Sequence, residues 1–241
     1  MKYAFVTGST KGIGKAIGIK LLQEGYHVVF NYCNSEESAR ELYELLQDSY
    51  NGMYNIIKAD LSDIDSVQHV SEQLRDIVPY LNTVVFNAGI TDRSVFGEIN
   101  PDNWLRVFNA NLNIPFFLMQ ELVPSIKTGG NIIFIGSMLG NLPHSVSTSY
   151  GVSKSAVHAL VKNMVKFLSK DNITINAIAP GFVDTDWQKE KPEWLREKIK
   201  GKVALKRFAS EVEVADLCFN IIQTPYLTGQ IIQLDGGYNY E

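Results

Sequence analysis

Tyrosine and lysine stand four residues apart in "SYGVSKSA", at Tyr150 and Lys154. A free phenol titrates at about 10 and is a poor base at neutral pH. An ammonium group beside it favours the phenolate and brings proton transfer within reach. The same spacing recurs in "YNIIK", at Tyr54 and Lys58, so spacing alone does not identify a working pair. Tyr54 and Lys58 fall in a run that reads as a strand, which would hold their Cα atoms roughly 13 Å apart. Tyr150 and Lys154 open "YGVSKSAVHALVKNMVKFL", whose apolar spacing reads as a helix, where positions four apart share a face. The chemistry is therefore expected at Tyr150 and Lys154, and the first pair is expected on a strand surface.

The elements that must position such a pair alternate along the whole chain. Strands are predicted at Tyr3–Val6, His27–Asn31, Tyr54–Ala59, Thr83–Phe86, Asn131–Ile135, Thr174–Ala179 and Gln230–Leu234. Most are nearly all apolar, as strands covered on both faces should be. Helical patterns lie between them, several with start signals. Asn34 with Glu37 three positions on reads as a capping box. Pro101 opens the helix through "DNWLRVFNANLN", and Pro115 is expected to kink or break it. Strand–helix alternation of this kind implies an α/β fold, a doubly wound parallel sheet of about seven strands with helices on both faces. Its ligands bind beyond the carboxyl ends of the strands, and those ends are where small and polar residues gather.

After the first strand, "TGSTKGIGKAIG" places Gly8, Gly12 and Gly14 at a strand–helix junction. Glycines there allow a tight turn and the close approach of a diphosphate to a helix N-terminus. The spacing is neither G-x-G-x-x-G nor a Walker A loop. Asp60 follows the third strand, where it is either a turn former or reaches an adenine edge. "NAG" (Asn87–Gly89) follows the fourth strand, Ser137 in "GSMLG" the fifth, and "PGFVDTD" (Pro180–Asp186) the sixth.

Composition sets the outer limits. With 241 residues, 45% hydrophobic and 20% charged, the chain suits one folded domain. A net charge of −4 and the lack of a basic stripe argue against nucleic acid. Runs such as "NIIFIG" are too short to span a bilayer, and "MKYAFVTG" carries no cleavage-site pattern. A cytoplasmic protein with two reduced thiols, Cys33 and Cys218, is the expectation. The histidines His27, His69, His144 and His158 show no metal-ligand spacing, so no metal is expected.

Taken in order, these motifs resemble the short-chain dehydrogenase/reductase family, of Rossmann type, essentially from end to end. "TGSTKGIG", Ala59–Asp60, "NAG", Asn111 in "NANLN", Ser137, Tyr150 with Lys154, "NAIAPG", Thr185 and "TGQIIQLDGG" carry the resemblance. "NAGIT", "PGFVDTD" and "LTGQIIQLDGGY" look most like the 3-oxoacyl-[acyl-carrier-protein] reductases of fatty-acid synthesis. The resemblance implies that Tyr150 protonates a carbonyl oxygen and that Ser137 orients it. It also implies that Lys154 holds nicotinamide ribose hydroxyls and that Asn111 anchors a proton-relaying water. Without it, Ser137 reads as a core hydroxyl and Asn111 as a helix-end bond. The cofactor site implied comprises Gly8, Ser9, Thr10, Lys11, Gly12, Ile13, Gly14, Asn31, Ser35, Asp60, Leu61, Asn87, Ala88, Gly89, Tyr150, Lys154, Pro180, Gly181, Val183 and Thr185. NADPH is expected over NADH. Asn31 stands where an NAD-selective aspartate is often found, and Lys11 and Ser35 suit a 2′-phosphate. Glu36 and Glu37 oppose this unless they face away as first-turn acids.

The substrate is expected among Ile90–Phe96, Leu139–Val146 and Phe182–Lys200. The last segment reads equally as a lid (182–200) or as an amphipathic surface helix whose Trp187 and Trp194 pack inward. Lys127, Lys166 and Lys170 are candidates for docking an acidic carrier protein. A dehydrogenase of a free sterol, sugar or small diketone is the alternative, and a non-catalytic cofactor-binding regulator the alternative of another class. The resemblance also implies a homotetramer or homodimer in which helices near Asn103–Leu122 and Thr148–Ser169 pair across a twofold axis.

Overall fold

The computed structural model describes residues 1–143, 147–238 and 240. Of the expected substrate segment Leu139–Val146, positions 144–146 lie outside them, His144 included. Seven strands form one parallel sheet: β1 (Lys2–Val6), β2 (Tyr26–Tyr32), β3 (Tyr54–Lys58), β4 (Leu81–Phe86), β5 (Ile126–Ile135), β6 (Thr174–Pro180) and β7 (Ile231–Leu234). Their order is β3-β2-β1-β4-β5-β6-β7, so the winding reverses between β1 and β4, where such sheets open a crevice. The strands match their predicted positions closely. β5 begins at Ile126 rather than Asn131, with a register shift against β4 between Leu81 and Thr83.

Alternate residues of each strand feed two cores. Phe5, Val84, Phe86, Ile132, Phe134 and Ile175 face one side. There they pack against α3 (Ser66–Ile77), α5 (Ile114–Leu122) and α6 (Thr148–Leu168) through Leu74, Leu118 and Val161. Val6, Val28, Phe30, Val85, Ile133 and Ile178 face the other. They meet α1 (Gly12–Gln23), α2 (Glu36–Leu46) and α9 (Glu211–Ile222) through Ile17, Leu42 and Val214. With both faces covered, the strands need no polar alternation.

α1 sits flush on β2 because Gly18 lacks a side chain: a Cβ there would lie 2.1 Å from the Phe30 ring. A mid-helix glycine costs about 1 kcal/mol of helix propensity, and here the close approach requires it. Gly18→Ala is expected to lower stability by about 1–3 kcal/mol, read as a shift in the urea midpoint at constant slope.

Two helix signals turn out differently. α2 is capped by Ser35, whose Oγ accepts the Ser38 N–H at 3.4 Å and pairs with the Ser38 hydroxyl at 2.7 Å. With the cap one residue later than expected, the third helical residue is Ser38 and no Asn34–Glu37 box forms. A full capping box occurs instead at Ser210 and Glu213, opening α9. Pro101 opens α4 (Pro101–Phe108) as expected. Pro115 does not simply break the helix. A π turn at Asn109–Asn113 precedes it, and the Ile114 N–H donates five residues back to the Asn109 carbonyl. Proline has no N–H for the carbonyl four residues earlier, that of Asn111, and the widened turn accommodates the loss. Segment 182–200 carries two short helices, α7 (Asp186–Lys189) and α8 (Glu193–Gly201), separated near Pro192. Trp194 is 68% exposed and Trp187 41%, so neither is packed inward as an amphipathic helix would require.

Candidate active site

The glycine loop between β1 and α1 is shaped by contacts that admit no side chain. Gly8 and Gly12 have φ of 58° and 60°, the left-handed region that favours glycine. A Cβ on Gly14 would lie 2.5 Å from Asn87 Nδ2 and 2.6 Å from the Gly8 carbonyl. Thr7 ties the loop to the end of β4: its hydroxyl accepts the N–H of Asn87 at 2.9 Å and of Ala88 at 3.0 Å. Asn87 returns its amide to the carbonyls of Thr7 and Gly8 at 3.0 and 2.8 Å. Above Gly12 a Cβ would meet nothing nearer than Thr185 Cγ2 at 3.8 Å and Glu211 Oε1 at 3.9 Å. The loop is thus tight below and open above, and the start of α1 faces the opening. That fits a diphosphate. Ser9 and Thr10 are buried beneath it, Ile13 packs on the core, and Lys11 is exposed at the start of α1.

At the end of β2, Asn31 is 2% exposed and fully engaged. Its Oδ1 accepts the Gly8 N–H at 3.1 Å, and its Nδ2 donates to the carbonyls of Tyr32 and Ala59 at 3.3 and 3.2 Å. Its amide braces the glycine loop from below rather than projecting into the crevice. Ser35 is occupied as the α2 cap. Glu36 is held by Lys58 and by the Tyr32 hydroxyl, the latter at 2.6 Å, and these partners pull its carboxyl below the usual range. Lys58 is exposed at the end of β3, on the strand surface as expected, and has a partner there in Glu36. Asp60 is exposed, accepting from the Ser62 N–H and hydroxyl at 2.9 and 2.7 Å. Leu61 is buried in the core.

Beyond β4 and β5 the remaining residues converge. α6 starts at the crevice, so Tyr150 and Lys154 stand one turn apart on one face. The Lys154 Nζ lies 5.6 Å from the Tyr150 ring centre and donates to the Ile135 carbonyl at 2.6 Å. Lys154 is 4% exposed, and burial brings its ammonium down to about 8. Burial pushes the Tyr150 phenol up, offset in part by the neighbouring Ser137 hydroxyl. The Ser137 hydroxyl also accepts the Leu139 N–H at 3.1 Å. Asn111, projecting from the π turn, accepts the Ile90 N–H at 2.8 Å and donates to the Ile90 carbonyl at 3.0 Å and to Ser153 Oγ at 2.9 Å. Ser153 donates in turn to the Tyr150 carbonyl at 2.8 Å. Gly89 lies against both, its Cβ position 3.1 Å from Asn111 Oδ1 and 3.5 Å from Lys154 Nζ. Along β6, Pro180 ends the strand and Gly181 abuts Asp235, leaving no room for a side chain. Val183 is buried and bridged to Ala209, and Thr185 heads α7.

The short chain dehydrogenase family pattern matches residues 2–196. The chain belongs to the short-chain dehydrogenase family. It is 30% identical over 244 residues to a 3-oxoacyl-[acyl-carrier-protein] reductase of Staphylococcus aureus, covering 98% of this chain and 97% of that one. It is 32% identical to a solved short-chain dehydrogenase/reductase of Serratia marcescens, with a TM-score of 0.92 over 99% of this chain and 98% of that one. A blue fluorescent protein from a metagenomic library, solved with NADPH, is 30% identical with a TM-score of 0.92 over 100% and 98% of the chains. This short-chain dehydrogenase is an oxidoreductase of the kind that acts on CH–OH groups.

Three residues that sequence reasoning passed over help build the site of this dehydrogenase. Thr7 joins two strand ends, Ser153 links Asn111 to Tyr150, and His158 supports the Ser137 loop from behind. A Cβ on Gly136 would lie 2.4 Å from His158 Nε2, and one on Gly140 2.6 Å from its Cε1. Only the glycines hinted at this, as paired small residues around Ser137. Lys127, Lys166 and Lys170 are elsewhere. Lys127 lies near the start of β5, at the opposite end of the strands, and stacks over Tyr80 at 3.6 Å. Lys166 lies about 24 Å along the α6 axis from Tyr150 at the usual rise, and Lys170 is farther still, so none rims the site of its own chain.

Proposed function

We propose that the protein uses NADPH to reduce a ketone to a secondary alcohol, with 3-oxoacyl groups carried as acyl-carrier-protein thioesters as its substrates in fatty-acid synthesis. The observation that carries the reading is the convergence of Tyr150, Ser137, Lys154 and Asn111 beyond β4 and β5, beside the open glycine loop. Gly8, Gly12 and Gly14 would cradle the diphosphate, with Asn87–Gly89, Pro180–Gly181, Val183 and Thr185 along the cleft. Bound there, the reduced nicotinamide supplies a hydride. The chain supplies the proton and the alignment. Ser137 donates to the carbonyl oxygen, and Tyr150, its phenol pushed up by burial, holds its proton at neutral pH and delivers it to the same oxygen. The Lys154 ammonium stabilises the phenolate left behind. Both Asn111 amide hydrogens are spent on Ile90 and Ser153, and a relay water would be held by the Asn111 backbone carbonyl, to which Pro115 offers no N–H.

NADPH is favoured because Lys11 is exposed beside the loop, and because Glu36 is engaged by Lys58 and Tyr32. The carrier-linked substrate is supported by the activity named for the relatives in Staphylococcus aureus and Aquifex aeolicus. The far-side placement of Lys166 and Lys170 favours a second reading, reduction of free ketones. Exposed Leu105, Phe117, Val152 and Phe167 on α4, α5 and α6 support pairing of these helices between subunits of a cytoplasmic homotetramer. Rates of cofactor oxidation with acetoacetyl-carrier protein and a panel of free ketones, each with NADPH and NADH, test the reading. The expected result is a preference for the carrier thioester and for NADPH. A strong preference for NADH, or for a free ketone, overturns the corresponding part.

A further inference from the structure

At the mouth of the site an arginine lies over an indole that touches Tyr150, and a lysine follows four residues further along the indole's segment. The Trp187 ring stands edge-on to Tyr150, with centroids 6.4 Å apart and planes at 77°. The Arg93 guanidinium lies over the same indole, 5.7 Å from its centre. Lys191, half-buried just past α7, donates to Gln188 Oε1 at 2.7 Å. Burial disfavours its ammonium, and the charges of Arg93 and Arg196 disfavour it further, with Glu190 acting the other way. Arg196 has partners of its own, Asp184 at 3.0 Å and Glu193 at 3.6 Å. Among the described residues neither Arg93 nor Lys191 makes a salt bridge: Asp92, next to Arg93, uses its Oδ1 on the N–H and hydroxyl of Ser94. A half-buried cation kept beside other cations is an unfavourable arrangement for the protein alone. An anion bound beside them relieves it.

We propose that Arg93 and Lys191 are the receptor for an anionic group, carboxylate or phosphate, on the carbonyl substrate. The inference rests on the carbonyl-reductase reading and gives it a substrate class. The carbonyl sits at Tyr150, and Trp187 contacts both the Tyr150 ring and the Arg93 guanidinium. The negative group is therefore carried on the substrate itself, projecting outward from the reacting carbon along the indole. A guanidinium and an ammonium suit a planar carboxylate or a phosphate ester equally. In a small keto acid the group is the carboxylate, and in a pantetheine thioester it is the phosphate toward the outer end.

The test compares ethyl acetoacetate, acetoacetate and acetoacetyl-coenzyme A in wild type, Arg93→Gln and Lys191→Gln. The measured quantity is the ratio of kcat/KM for each anionic ketone to that for the neutral ester, which cancels general damage to the fold. Loss of a charge-assisted contact should lower this ratio about 10- to 100-fold. A drop for acetoacetate identifies the carboxylate as the group bound, and a drop for the thioester alone identifies the phosphate. Unchanged ratios overturn the proposal, as does a rise confined to the KM of NADPH, which would assign the cations to the cofactor. Calorimetric titration of cofactor-free protein with acetoacetate and with inorganic phosphate needs no turnover. Weaker binding in Arg93→Gln supports the receptor even if the wild type reduces none of the three ketones, an outcome that would instead sink the reductase reading. Equal binding by wild type and variant overturns it.

Discussion

Tyr150→Phe is expected to lower kcat/KM for ketone reduction by about 100- to 10,000-fold, the range associated with losing a positioned general acid, while NADPH binding changes little. The substitution removes one oxygen. Phe keeps the edge contact with Trp187 and the ring's place on α6, so the fold around Lys154 is retained. What disappears is the phenolic donor beside the Ser137 hydroxyl, the pair that would aim two hydroxyls at one carbonyl oxygen. Stopped-flow traces of NADPH oxidation, alongside a fluorescence titration of the cofactor, separate the two effects. A variant that reduces ketones as fast as wild type would refute the proposed chemistry, and one that loses NADPH binding would move Tyr150 from proton transfer to cofactor attachment.

That Tyr150 is a candidate at all follows from helical periodicity. Residues four apart share a face in a helix and are spread along a strand, and this separates Tyr150 and Lys154 from Tyr54 and Lys58 without coordinates. The strands were legible for a related reason: covered on both faces, they read as unbroken apolar runs. The glycine loop was legible because Gly8 and Gly12 need positive φ and Gly14 needs space. Other features depend on contacts between residues distant in sequence. Asn31 stands at the expected strand end, yet its amide turns back to Gly8 and Ala59, a choice set by the loop it supports. Glu36 reads as a free first-turn acid until Lys58, delivered by the neighbouring strand, reaches it. The π turn that presents Asn111 combines Pro115 with the Ile90 backbone that Asn111 pairs with, and a proline alone suggests only a break. Arg93 and Trp187 belong to different segments and meet only in the folded chain.

Lys154→Met is the substitution in which activity and stability should move in opposite directions. The ammonium is nearly excluded from water, and burial takes it from 10.5 to about 8. The folded state therefore penalises the charged form by about 3 kcal/mol at pH 7. The sign follows from proton counts. Between pH 8 and 10.5 the unfolded chain holds the proton that the folded chain has released, so stability from this group rises with pH across that window. Below pH 8 the penalty is complete. Methionine fills a similar volume without charge, at the cost of leaving the Ile135 carbonyl without the donor it now has at 2.6 Å. A net gain of about 1–2 kcal/mol is expected at pH 7, shrinking to nothing or reversing near pH 10. Activity should fall at least about 100-fold, because in the proposed mechanism the phenolate would lose its neighbouring cation and the cofactor ribose a donor. Urea denaturation at pH 7 and pH 10, paired with steady-state rates, checks both halves. A variant that is both inactive and less stable at pH 7 would mean that the Ile135 contact outweighs desolvation, and that this lysine is a structural strut rather than a charge held at the fold's expense for chemistry.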